Sequence, residues 1–141
     1  MIGLFLVAMS LYAGAPEMIA KTTTWVSPLW GYNTPKLVYD GKTWYAAGMR
    51  GATPSEGEAL INVRNADGSW RMLTAFPGAY QPPTLGIEDS GKLVVVHTRA
   101  NAPVHLLRSI SPENNGEFDT LPVPPGMKNA YGSVVILHGS R

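Results

Sequence analysis

No cysteine occurs in the 141 residues, which excludes disulfides, zinc–thiolate sites and cysteine nucleophiles and leaves burial to hold the fold. Charge of one sign is lacking too: 11 basic and 10 acidic residues give a formal net charge of +1, and no Lys or Arg stands beside another. A nucleic-acid surface needs a basic patch or stripe, so none is expected. A long apolar run is also missing. The mainly apolar, uncharged stretch from Ile2 to Ala15 falls short of the ~20 residues a membrane-spanning helix requires. It reads as the core of a signal peptide over residues 1–20, with Ala13-Gly14-Ala15 as small residues for cleavage, although Pro16 follows directly and no basic residue precedes. The chain is then secreted or periplasmic and touches no membrane beyond that segment. The alternative is that Leu4 to Leu11 forms a buried strand or helix. Gly-x-Ser-x-Gly elbows, phosphate loops and helical His-x-x-x-His pairs are absent, so serine-hydrolase, nucleotide-binding and zinc-protease chemistry have no support and no cofactor is expected.

What remains is a chain that is 45% hydrophobic, with Gly 15 and Pro 12 spread singly between short apolar runs. Many turns and few helices follow from that distribution. After residue 20 no window carries an i, i+3, i+4, i+7 stripe, whereas Val94-Val95-Val96 and the alternation in Leu60-Ile61-Asn62-Val63-Arg64 are strand signals. The fold class is all-β.

The apolar runs also recur. Tyr32, Tyr80 and Tyr131 open similar segments spaced by 48 and 51 residues, and Asp40-Gly41-Lys42 and Arg50 return as Ser90-Gly91-Lys92 and Arg99 at spacings of 50 and 49. A period of about 45 to 50 residues is what a four-stranded propeller blade and its turns occupy. The first unit predicts strands at Leu37 to Tyr39, Trp44 to Met49, Ala59 to Val63 and Trp70 to Phe76; the second at Thr84 to Ile87, Leu93 to Thr98, Val104 to Leu107 and Phe118 to Val123. Asp40-Gly41, Ser90-Gly91 and Asp67-Gly68 supply residues that tolerate positive φ at the hairpin turns. A partial β-propeller results, two four-stranded blades and the start of a third at Ser133 to Arg141. The alternative is a β-sandwich in which the spacing is incidental.

These residues resemble the opening of the sialidase-like superfamily, whose members carry bacterial neuraminidase repeats, over roughly residues 31 to 141. Tyr32-Asn33-Thr34-Pro35 sits in the frame of that family's Tyr-Arg-Ile-Pro signature, and Arg50 followed by Glu56 or Glu58 matches an arginine and an acid further on. Arg64-Asn65-Ala66-Asp67-Gly68-Ser69-Trp70 is similar to a shortened Asp box, the structural turn of the family, and Ser111 to Phe118 to a loose one. The resemblance implies that residues 21–141 are the N-terminal part of a propeller domain acting on a glycan or polysaccharide, by hydrolysis or by a lyase reaction. It also implies that this is no true sialidase, because Asn33 stands where the first carboxylate-gripping arginine belongs. A non-catalytic glycan- or protein-binding propeller, or an inactive fragment, is the other reading.

Candidate substrate-binding residues are Tyr32, Asn33, Arg50, Glu56, Glu58, Tyr80, Gln81 and Arg99. Tyrosines stack on sugar rings with a polar tip free to hydrogen-bond, and arginines grip carboxylates in a planar fork. Packing in the repeat core, for Tyr32 and Tyr80, and pairing with an acid such as Glu58, for Arg50, are the structural alternatives. His97, on a strand, is a candidate general base against the plainer role of a packed side chain. Trp25, Trp30, Trp44 and Trp70 read as core or Asp-box residues.

Overall fold

In the computed structural model, residues 35–99 and 102–125 are described. The expected signal peptide, Tyr32, Asn33, Tyr131, Trp25, Trp30 and the third-unit strand lie outside them.

Eight strands form two four-stranded antiparallel sheets, each in simple chain order. The first holds β1 (Leu37–Tyr39), β2 (Trp44–Arg50), β3 (Glu58–Arg64) and β4 (Trp70–Pro77). The second holds β5 (Thr84–Ile87), β6 (Leu93–His97), β7 (His105–Ser109) and β8 (Phe118–Leu121). Each of the eight strands expected in the first two units is present, within two residues at each end.

Turn chemistry defines one end of both sheets. Asp40 Oδ1 accepts from the backbone N–H groups of Lys42 and Thr43 at 2.8 and 2.7 Å, and Gly41 takes φ 96° to close the β1–β2 hairpin. Between β3 and β4, Asp67 Oδ1 accepts from Ser69 N at 2.9 Å and from Ser69 Oγ at 2.6 Å. Those bonds close the turn and hold the Asp67 carboxyl below its ordinary pKa.

In the β7–β8 turn the corresponding work falls to Asn114, which is buried and sits at φ 49°. Its Oδ1 accepts from Leu93 N at 3.0 Å and from Ser109 Oγ, while its Nδ2 donates to the carbonyls of Gly91 and Pro112, both at 3.1 Å. An amide suits this place because it has acceptor and donor atoms to satisfy several buried groups together.

The two sheets share one core. Tyr45, Ile61 and Val63 from the first pack with Leu85, Leu93, Val95 and Leu107 from the second, and Val38, Ala47, Leu73, Phe76, Ile87 and Phe118 fill its margin. Phe76 meets Phe118 edge-to-face across the gap, with ring centroids 5.4 Å apart. A β-bulge in β4 opposite Ile61 and Asn62 leaves Leu73 without a ladder partner, and it packs against this core. At the inner edge, Leu85 N donates to Pro35 O at 3.0 Å, and Lys36 Nζ donates to the carbonyls of Pro82 and Pro83, each at 3.0 Å.

The strand registers make the repeat physical. Tyr39 faces Trp44 and Leu37 faces Ala46 in the first sheet, as Ile87 faces Leu93 and Leu85 faces Val95 in the second. Equivalent residues are therefore 48 apart on the first strand of each unit and 49 apart on the second. By this equivalence Tyr45 and Ala47, which face the second sheet, correspond to Val94 and Val96, which lie on the second sheet's far side. The sheets thus stack front to back, with unlike faces in contact.

Candidate functional site

Because each unit is a simple meander, its loops alternate between two ends. The Asp40, Asn65, Ser90 and Asn114 turns occupy one. The other collects the start of β1, the β2–β3 loop, the β4–β5 link and the end of β6, and most of the sequence-predicted site residues lie there.

Arg50 closes β2 and sits directly across from Glu58, the first residue of β3. Its Nε donates to Glu58 Oε2, and that bond raises the guanidinium pKa further. The arginine is thus engaged by an acid, which is the structural alternative for Arg50. Both side chains remain accessible to solvent, at 45% and 34%. Glu56 is exposed and ends a single 3-10 turn, Pro54–Glu56.

The loop after this turn is tied to the next unit. Gly57 O accepts from Ala79 N at 2.8 Å, and a Cβ built on Gly57 would stand 2.0 Å from Ala79 O, so only glycine permits the approach. Ala79 pairs with Arg99 in an isolated bridge, and Tyr80 N donates to Thr98 O at 2.9 Å. These contacts bring Tyr80, Gln81 and Arg99 together, adjacent through Gly57 to Glu56 and Glu58.

Within this group Tyr80 is 37% exposed, so it is not a core residue. Gln81 is buried at 6%, and its Oε1 has no hydrogen-bond partner. Arg99 is half-buried and its Nη1 lies 2.9 Å from His105 Nε2. A guanidinium only donates, so Nε2 accepts and the His105 proton sits on Nδ1. Burial, then the charge of Arg99, lowers the His105 pKa and keeps the ring neutral.

His97, paired across the ladder with His105, is 1% exposed with no hydrogen-bond partner on either ring nitrogen. Burial above all, with His105 and Arg99 adding, pushes its pKa down to about 4. Its neighbours are the Phe76 ring at 5.8 Å and the His105 ring at 5.9 Å. A ring so enclosed has no path to a sugar proton, and His97 is a packed residue.

Two side chains escaped the sequence reading. Lys36, half-buried against the Pro82 and Pro83 carbonyls, has its pKa lowered by burial to about 8. Its only signal was a lysine beside Pro35 at the head of a strand. Trp44, read as core or Asp-box, is 39% exposed and stacks on Tyr39 with centroids 4.8 Å apart. Among the described residues no group of three His, Asp or Glu side chains is placed to hold a metal ion, and no helix is long and apolar enough to cross a membrane.

No family model, curated protein or solved structure matches the chain.

Proposed function

We propose that the chain is the N-terminal part of an exported, carbohydrate-active propeller of the sialidase-like type, a glycoside hydrolase or lyase by class and not a true sialidase. The observation that carries the glycan reading is that the backbone pairing of Ala79 with Arg99 and of Tyr80 with Thr98 sets the partly exposed Tyr80 and the half-buried Arg99 side by side at one end of the stacked sheets. A partly exposed tyrosine and a half-buried guanidinium are groups that meet a sugar's ring and its carboxylate.

Front-to-back stacking supports the propeller over the sandwich. Successive blades of a ring must present the same face to the same side, so that each unit's front meets its neighbour's back. Two repeat-related sheets closing on themselves as a sandwich would instead bury like faces.

A second reading, glycan binding without catalysis, draws on His97 and His105. The first is enclosed and the second is held by Arg99, so neither is poised as a base. The test is glycan-array binding and polysaccharide cleavage by the exported protein and its Arg99→Gln variant. Binding or turnover that Arg99→Gln reduces supports the site; indifference of every glycan to that substitution removes it.

A further inference from the structure

We infer that His105 is a specificity-determining residue of the Tyr80 and Arg99 site, and that this site takes an acidic saccharide together with a proton. The inference rests on the glycan reading above and adds to it the charge of the sugar and a dependence on pH. Its geometric basis is the partner that Arg99 has. Arg50 pairs with Glu58, and Arg108 lies 3.9 Å from Glu88. The half-buried Arg99 guanidinium instead donates to a neutral ring, with its Nη1 2.9 Å from His105 Nε2.

A cation partly out of water calls for an anion, and among the described residues the surrounding elements supply none. His105 shares a face of β7 with Leu107, which packs in the core between the sheets, so the pair lies at the end of that seam and not on an outer face. Directly across on β6 stands His97, its ring 5.9 Å away and itself held neutral by burial. On β8, Asp119 is opposite Arg108 and therefore on the other face. The β4 strand, which sends Phe76 against His97, carries no acid. Glu58, next to the buried Ala59, is turned to the outer face of the first sheet with Arg50, and Glu56 is exposed in its 3-10 turn. Glu117 is bonded to Asn115 at the opposite end.

A sugar carboxylate engages both residues. Arg99 has further N–H groups beyond the one given to His105, and a carboxylate accepts from them in fork geometry. The bound anion offsets the charge that, after burial, holds the His105 ring neutral, so the ring takes a proton from solvent at Nε2. Nε2 then no longer accepts from Arg99, and the two N–H groups turn to the carboxylate together. A neutral sugar brings no such charge and leaves His105 unprotonated. Because linkage is reciprocal, a ligand that draws a proton onto His105 is bound more tightly as pH falls.

Calorimetric titration of the full chain with oligogalacturonate tests this. Affinity should rise at least about threefold from about pH 8 to about pH 6, since each unit by which the ligand raises the His105 pKa is worth about tenfold. Repeating the titration in buffers of different ionisation heat should show a proton taken up on binding. His105→Gln, which can still accept from Arg99 but does not titrate, should remove the rise and weaken binding at about pH 6 by a similar factor. Proton uptake is read on the unaltered protein, so the test holds whether or not that variant folds. The inference is overturned if oligogalacturonate does not bind, if its binding takes up no proton, or if His105→Gln keeps the pH dependence. It is also overturned if a neutral xylo-oligosaccharide binds as tightly; should that binding fall in Arg99→Gln, the proposed function stands without the acidic specificity. Oligogalacturonate binding that Arg99→Gln leaves untouched removes both.

Discussion

Asn114 Nδ2 donates to the Tyr45 hydroxyl at 3.2 Å, joining the last hairpin turn of the second sheet to the second strand of the first. The Tyr45 hydroxyl in turn donates to Asp40 Oδ2 at 3.0 Å, so three turns separated widely in sequence share one polar network at a buried seam. Burial, foremost, raises the tyrosine's pKa and keeps it a donor.

Asn114→Ala should destabilise the protein by about 2 kcal/mol, because it removes at once a buried amide's bonds to Leu93 N, to the Ser109 and Tyr45 hydroxyls and to the Gly91 and Pro112 carbonyls. Tyr45→Phe, which removes only the hydroxyl, should cost about 1 kcal/mol. Urea unfolding followed by tryptophan fluorescence separates the two, and equal midpoints would dissolve the hub assignment.

Stability should fall on acidification in a way that depends on His97. The ring's pKa is about 4 folded against 6.5 when exposed, so the unfolded chain takes up the proton first. The contribution is complete above pH 6.5 and is lost as pH falls towards 4, with about 3 kcal/mol at stake. Replacing His97 by Met, which needs no hydrogen bond, should raise stability and remove that part of the slope between pH 6.5 and 4. A pH series of urea midpoints for both proteins reads it, and parallel curves would refute the assignment.

Gly57→Ala should loosen the joint between the units, since its methyl group would meet the Ala79 carbonyl. Overpacking of this kind costs about 1–3 kcal/mol. Hydrogen exchange should quicken at Ala79 N and Tyr80 N, which bond to Gly57 O and Thr98 O, before it quickens in β3. Uniform quickening would mean that the joint does not open locally.

Arg50→Ala should leave the urea midpoint unchanged, because its pairing with Glu58 is solvent-exposed and such pairs contribute little. Any change it makes in glycan binding then reports on recognition. A midpoint shift comparable to that of Asn114→Ala would give the pair a structural role instead.

Strand positions and turns were legible because their causes are local. Asp40-Gly41 and Asp67-Gly68 set their hairpins through side chains bonding two residues on, and β-branched runs such as Val94 to Val96 mark strands without reference to anything distant. The Tyr80, Gln81 and Arg99 group was visible as repeat positions, although nothing in the spacing told that Tyr80 is exposed and the Gln81 oxygen buried. Trp44, expected in the core or an Asp box, stands exposed for the same reason. Its strand was evident, but whether its face is covered depends on what packs there.

Sequence alone therefore settles the all-β class, the four-strand period and the absence of thiol chemistry, each a property of neighbouring residues or of composition. The tertiary structure decides the rest: which face of each sheet is buried, that Arg50 finds Glu58 while Arg99 finds His105, that His97 is enclosed, and that Asn114 reaches Tyr45. Those outcomes hang on contacts between residues distant in the chain, where burial and hydrogen-bond partners exist only once the sheets have stacked.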